Sequence, residues 1–285
     1  MTENIGNLAA SIRQKLLNFS KANNEPFQQV LVNFALERLL YRLSISDYSD
    51  RFVLKGALLF RLWFDLPQRP TRDIDFLGFG EANPEQIKII FATLAEANVE
   101  DGLIFSAESI TAEPIRKAAG YPGIRVQLQA SLDNARIPIQ CDIGFGDAIT
   151  PPAVSSEFPT LLDLPAPVLR VYPLETVVAE KLEAMVKLAS FNTRLKDYFD
   201  LWVLSTAEQI DHAVLPKAIA ATFERRQTSV PVTIPIGLTE GYATEKAQQW
   251  NAFLKRSQLE APPLAEVVKE LSAIYWPLLE KSNHH

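Results

Sequence analysis

The sequence predicts an α+β fold: a mixed or antiparallel sheet flanked by helices, followed by a mainly helical C-terminal domain. Three observations predict it. Up to Phe145, segments with the helical period of apolar residues are interleaved with segments alternating at the strand period. Prolines then cluster at 151, 152, 159, 165, 167 and 173, which marks an irregular stretch and a candidate boundary. Beyond it only the helical period recurs. The expected domains are therefore 1–165, N-terminal helices plus the sheet-bearing core, and 166–285, a helical domain.

The elements follow in order. Residues 6–19 are amphipathic, and Asn23, Asn24, Glu25 and Pro26 supply a stop and restart. From Phe27 to Leu43, Val30, Leu31, Phe34, Leu39, Leu40 and Leu43 recur at spacings of three and four, so a second helix is expected. Arg51–Lys55 reads as a short strand that gives way at Gly56 to an apolar helix ending near Trp63. Thr71–Gly78 alternates, with Asp73 and Asp75 on one face and Ile74 and Phe76 on the other. Residues 84–97 resume the helical pattern behind Pro84. Residues 124–130 and 137–143 alternate around a hairpin turn at Leu132-Asp133-Asn134-Ala135, which predicts antiparallel pairing. Helices are expected near 174–190, 193–207, 211–226, 243–256 and 263–280.

Composition excludes several function classes. Among 285 residues, 28 Lys and Arg stand against 34 Asp and Glu, a net charge of −6. A protein that coats nucleic acid is usually basic, so any such contact must be local. A single Cys141 leaves no internal disulfide and no multi-cysteine zinc site. His284 and His285 close the chain and leave His212 as the one internal histidine, which argues against His-dependent chemistry. No run approaches the ~20 apolar residues that span a bilayer, and the opening lacks the apolar core of a signal peptide. A cytoplasmic protein without membrane contact is expected.

Against that background, a few residues stand out. Two carboxylates two positions apart on a strand, Asp73 and Asp75, project together, and oxygen-only ligands suit magnesium or manganese. The same pattern also describes a solvated strand face. Asp142 lies on the polar side of a second strand and becomes a third carboxylate beside them if the two strands pair. Lys55-Gly56-Ala57 stands where a strand turns into a helix, a place where backbone N–H groups can cradle phosphate; an ordinary change of element explains it equally. Lys181 falls at the centre of the apolar stripe formed by Leu174, Val177, Val178, Leu182, Met185 and Leu188, with Glu180, Glu183 and Lys187 opposite. Asp197 points inward on the next helix beside Arg194, with Asp200 at the flank. A Lys181–Asp197 pair, or both residues around a bound nucleotide, accounts for the pattern, and so does a structural buried salt bridge.

Taken in order, Phe52-Val-Leu-Lys-Gly-Ala-Leu-Leu-Phe60, Arg69-Pro-Thr-Arg-Asp73-Ile-Asp75, Glu180-Lys181-Leu-Glu-Ala and Arg194-x-x-Asp197-Tyr-Phe-Asp200-Leu resemble the AbiEii/AbiGii toxin family of nucleotidyltransferases. Trp250-x-x-Phe253-Leu254 resembles the family's tail. The resemblance implies a DNA polymerase β-like nucleotidyltransferase fold with an appended helical domain, and the toxin half of a toxin–antitoxin or abortive-infection pair. It implies that Asp73 and Asp75 are catalytic metal ligands, that Asp142 fits the superfamily's third carboxylate, and that Lys181 contacts the triphosphate of an NTP. Asp197 matches the acid of the Arg-x-x-Asp block opened by Arg194, and Thr71 stands where some relatives place a serine near phosphate. Lys55-Gly56-Ala57 departs from the usual Gly-Gly or Gly-Ser, so backbone amides replace a hydroxyl there.

The expected activity is magnesium- or manganese-dependent transfer of a nucleoside monophosphate from an NTP to an acceptor hydroxyl, with pyrophosphate released. By resemblance the acceptor is RNA, the 3′ end of a tRNA, and a cognate antitoxin is the protein partner. Lys55, Arg61, Arg69 and Arg72 are local cations beside the candidate site. Two other readings remain open at this stage: a protein or small-molecule acceptor, and a non-catalytic antitoxin-binding protein in which Lys181 and Asp197 are a core pair.

Overall fold

The computed structural model describes residues 2–64, 71–116, 122–207 and 209–282. It divides into two compact units: 1–146 with 154–171, and 147–153 with 172–285.

The first unit is built on a seven-stranded mixed sheet. The chain enters through helices α1 (Thr2–Ala22) and α2 (Phe27–Ser44), then strand β1 (Phe52–Lys55), a one-turn helix α3 (Phe60–Trp63), β2 (Asp73–Gly78) and helix α4 (Pro84–Glu96). Strands β3 (Leu103–Arg116), β4 (Pro122–Leu132), β5 (Ala135–Phe145), β6 (Val154–Glu157) and β7 (Val168–Val171) complete it, in the order β3-β4-β5-β2-β1-β7-β6. Central strand β2 runs parallel to β5 and antiparallel to β1. The expected β4–β5 hairpin is antiparallel and closes on Leu132↔Ala135, with Asp133 at φ 52° in the turn.

Alternation divides the sheet by chemistry. Ile74, Phe76, Cys141 and Ile143 are buried, and on this apolar face Phe52 meets Phe76 at 5.4 Å and Phe91 of α4 at 6.3 Å between ring centroids. Helix α2 packs against β5 and β7. Asp73 and Asp75, half-buried, project from the opposite face. Helix α4 starts as the sequence predicts, with Pro84 in its first turn and the Asn83 side chain accepting from the backbone N–H groups of Glu85 and Gln86.

Three local expectations change. The apolar helix expected from Gly56 is a 3-10 turn, Gly56–Leu59, followed by the single turn α3. Gly56 has φ +80°, a left-handed conformation no α-helix can contain, and Phe64 is already extended. Little helix dipole therefore accumulates at Gly56. Strand β3, which carries an irregularity between Ser106 and Thr111, gives no clean alternation. It is an edge strand, where Pro114 needs no ladder donor. The proline-rich stretch conceals β6 and β7, which pair with each other and attach to β1 through Leu54↔Val171.

Buried charge ties that stretch to α2. Arg42 grips Asp101 with Nη1 2.6 Å from Oδ2 and Nη2 3.1 Å from Oδ1. Arg38 donates to Asp101 at 3.3 Å and to the carbonyl of Pro165 at 2.8 Å. Glu37 accepts from the Leu161 N–H at 2.8 Å. Desolvation raises the Glu37 carboxyl above its ordinary value despite that bond and the nearby Arg38 and Arg61.

The second unit contains α5 (Leu174–Leu188), α6 (Leu195–Ser205), α7 (Leu215–Arg225), α8 (Glu240–Ser257) and α9 (Leu264–Ser282). Helix α5 packs against α6 and α7, and α9 against α6, α7 and α8. The Trp250 and Phe253 pair is structural. Trp250 is fully buried and donates to the Pro262 carbonyl at 3.0 Å, while Phe253 meets Phe199 edge-on at 6.2 Å. No described helix is long and apolar enough to cross a membrane.

Candidate active site

Strand pairing assembles the carboxylates. In the parallel β2–β5 register Asp75 lies directly opposite Asp142, and Asp73 lies opposite Gln140, so all three acids share the sheet's polar face. On the other side of β2, Lys55 lies opposite Asp75 and is largely buried. Gly56 follows at once, and its backbone is pressed against the Asp75 side chain. A Cβ built there would fall on the carboxylate oxygen, 2.8 Å from Asp75 Cβ and 2.9 Å from Cγ. The glycine thus serves two needs, a positive φ and an approach no other residue permits. Thr71 donates its hydroxyl to Asp73 Oδ1 at 2.6 Å, and Gln29 holds the Thr71 carbonyl at 3.0 Å.

Among the described residues, no group of three or more Asp, Glu, His or Cys is already gathered around a common ion position. The Asp142 carboxylate is itself already paired. Arg125 on β4 faces it in register and binds both its oxygens, Nε to Oδ1 and Nη2 to Oδ2, each at 2.8 Å. The bidentate bond to Asp142 leads in raising the Arg125 pKa against the cost of burial, and Asp73 and Asp75 add to it. A guanidinium therefore balances a cluster of like charges that would otherwise repel. Asp73 and Asp75, hard oxygen donors on one face, suit a divalent ion as they stand, whereas Asp142 must share with Arg125 to join them. Sequence reasoning missed Arg125, although the signal existed: a two-residue turn at Asp133-Asn134, counted back along both strands, puts residue 125 opposite 142.

The remaining local cations divide. Arg72 is exposed beside Asp73, and Arg69 lies outside the described residues. Arg61 does not face the acids; its guanidinium stacks over Phe158 at 5.4 Å. Burial lowers its pKa from the ordinary value, against the pull of Glu37 and Glu25.

A second cluster occupies the helical unit. The Lys181 ammonium donates to Asp200 Oδ2 at 2.6 Å and to Asp197 Oδ1 at 3.1 Å. The pairing with Asp197 expected from helix periodicity is present, and Asp200, the flanking candidate, makes the shorter bond. Arg194 Nε lies 2.8 Å from Asp197 Oδ2, an ion pair whose N–H points off the acceptor. Burial opposes the charge on Lys181, yet Asp200 and Asp197 outweigh it and hold its pKa above the ordinary lysine value. Burial likewise opposes ionisation of Asp197, and Lys181 and Arg194 reverse it, leaving that carboxyl below its ordinary value.

On helix α5, Glu180 and Glu183, opposite the stripe that holds Lys181, have protein partners of their own. Arg226 reaches Glu180 at 3.1 Å, Glu183 at 2.9 Å and Asp147 at 3.2 Å, and the Thr228 hydroxyl donates to Glu183. Both sides of α5 are occupied, one by the Lys181 cluster and the other by Arg226. Periodicity alone assumes a single buried stripe and cannot show this.

Comparison with known proteins agrees with the geometry. Two solved structures share the fold: a provisionally assigned nucleotidyltransferase from H. pylori, 16% identical, TM-score 0.51, covering 90% of this chain and 97% of that one, and JHP933 from Helicobacter pylori, 15% identical, TM-score 0.51, covering 90% and 94%. No curated protein matches the sequence. Residues 38–275 match the family described as nucleotidyl transferase AbiEii toxin of type IV toxin–antitoxin systems, a span that includes the carboxylate strands, Lys181 and the Arg194–Asp197 block. The chain belongs to the AbiEii family of nucleotidyltransferase toxins.

Proposed function

We propose that this nucleotidyltransferase depends on magnesium or manganese and transfers a nucleoside monophosphate from an NTP to a hydroxyl of RNA, the 3′ end of a tRNA, in a cell where an antitoxin restrains it. The observation that carries the reading is the register of β2 and β5, which sets Asp73, Asp75 and Asp142 on one face of adjacent strands. Bound divalent ions would neutralise triphosphate charge and steady the attacking and leaving oxygens. The chain's own residues do the positioning. Asp73 and Asp75 are the ligands, with Asp73 oriented by the Thr71 hydroxyl and Asp75 seated on Gly56. Asp142, shared with Arg125, orients the acceptor hydroxyl and takes up its proton, and Lys55 and the Gly56 backbone meet the phosphates.

Lys181 already gives two of its three N–H donors to Asp200 and Asp197; the third is the one offered to an NTP phosphate oxygen, with Arg194 beside it. Asp197 acts by holding Lys181 in place. Arg72, exposed next to Asp73, guides phosphate from solvent. Because catalysis of this kind is mainly positioning and charge stabilisation, the effects are large where a ligand is lost and small where a guide is lost. The test is transfer of label from each α-labelled NTP to total tRNA with magnesium. Loss of at least about a hundredfold in Asp75→Asn, with native circular dichroism, supports the reading. Transfer to protein or a small molecule but to no RNA sinks the acceptor assignment.

A further inference from the structure

The connection between α5 and α6 carries an apolar feature that the catalytic account does not use. Phe191, at 88% exposure, is the most exposed large apolar side chain among the described residues. It ends the 3-10 turn Ala189–Phe191, which the chain enters through Ala189 at φ 45°, ψ −127°. Residues with a Cβ rarely adopt that backbone region, and such outliers persist where the surroundings enforce them, often at functional positions. The turn is anchored at its exit: Asn192 is fully buried, and its carbonyl accepts from the Tyr242 hydroxyl at 2.8 Å. A fixed loop thus holds a bare aromatic ring in water.

The surroundings say what the ring meets. In a chain of net charge −6, the stretch from Lys187 to Lys196 contains no acid and three cations, of which Arg194 is paired with Asp197 and Lys187 and Lys196 remain for a ligand. Lys187 is loosely placed 3.9 Å from Glu183, and Lys196 is exposed. The turn Ile236–Leu238 packs against the Phe191 turn; Ile236 in it is exposed, as are Val232 and Ile234 earlier in the chain. An exposed ring with an exposed ammonium group on either side along the chain suits an unpaired base between two phosphates, since every base has a face to stack and every linkage a charge to neutralise. A protein partner of matching chemistry would need acidic groups around an apolar anchor; single-stranded RNA supplies charge and ring together in every nucleotide.

We propose that Phe191 is a stacking platform for an unpaired base of single-stranded RNA, with Lys187 and Lys196 contacting the adjacent phosphates. The proposal rests on the RNA-acceptor reading and adds the surface that would hold the strand, on the connection between the helices that carry Lys181 and Asp197.

The experiment is fluorescence anisotropy of a labelled mixed-sequence 12-nucleotide RNA with the full chain, at low and moderate salt. Phe191→Ala should raise Kd about five- to a hundredfold, Phe191→Trp should restore it, and a duplex of the same sequence should not respond to either change. Lys187→Ala with Lys196→Ala should flatten the salt dependence. In the transferase reaction Phe191→Ala should raise KM for RNA and leave KM for the NTP unchanged. Phe191-dependent binding of the 12-mer by a parent chain that transfers nucleotide to no RNA would overturn the acceptor chemistry and leave the platform standing. Absence of binding at low salt, or equal Kd for Phe191→Ala, overturns the platform. So does a Phe191→Ala variant that loses self-association in light scattering with RNA affinity unchanged, which would make the surface a contact between copies.

Discussion

At Gly56 there is room for a hydrogen atom and nothing larger, because the Asp75 carboxylate occupies the place of a side chain. Gly56→Ala must either move Asp75 or leave the left-handed conformation. Both displace the acid, so transfer should fall at least tenfold, and thermal unfolding should report a loss of about 1–2 kcal/mol. Normal activity in Gly56→Ala would show that Asp75 need not sit where it does. Arg125 makes a different demand. Removing it leaves three carboxylates on one face without their guanidinium, so Arg125→Ala should gain more Tm from added magnesium than the parent does, through binding linkage. An equal gain would mean that Asp142 has no part in holding the ion.

Folding should feel the loss of Lys181 strongly, since Asp197 and Asp200 are almost completely buried around it. Lys181→Met strands two buried carboxylates and should cost about 3–5 kcal/mol in urea unfolding. The cluster also sets a pH window. Asp197 is depressed from an ordinary 3.8, so its contribution is complete above that value and fades as pH falls through the folded pKa. Lys181 is raised from 10.5, so its contribution is complete below that value and is lost as pH rises through the folded pKa. Stability measured against pH should show both losses in the parent chain and neither, from this cluster, in a Lys181→Met, Asp197→Asn variant.

Among the elements, those legible in the sequence were the ones whose period is governed by one buried face. Strand β2, the β4–β5 hairpin, α4 and helices α6 to α9 obey that condition, and their residues place Asp73, Asp75, Asp142 and Asp197 from the sequence. The condition fails elsewhere for identifiable reasons. Helix α5 buries Glu183 as well as Leu182 because Arg226 supplies a second polar core. Helix α2 buries Glu37, Arg38 and Arg42 beside its leucines because Asp101 and backbone groups of the 161–165 stretch receive them. Strands β6 and β7, four residues each among prolines, are too short to show a period and exist because β1 offers an edge. Arg42→Ala tests the buried network: it removes the main partner of Asp101 and should cost about 3–5 kcal/mol, where a surface arginine costs less than ~1.

For the whole molecule, the family assignment covers residues 38–275 and reaches into both compact units. The sheet unit carries Asp73, Asp75, Asp142 and Gly56, and the helical unit carries Lys181, Asp197, Asp200 and the Phe191 loop. On the proposed reading, a chain of charge −6 with RNA as acceptor must concentrate its cations locally, so RNA affinity should fall with salt by only a few phosphate contacts' worth. The central claim is that Asp73 and Asp75 carry nucleotide transfer. The most direct measurement is transfer of α-labelled nucleotide to RNA with magnesium, comparing the parent chain with Asp75→Asn at matched folding. The account predicts label on RNA from at least one NTP and none from the variant; undiminished transfer by Asp75→Asn would contradict it.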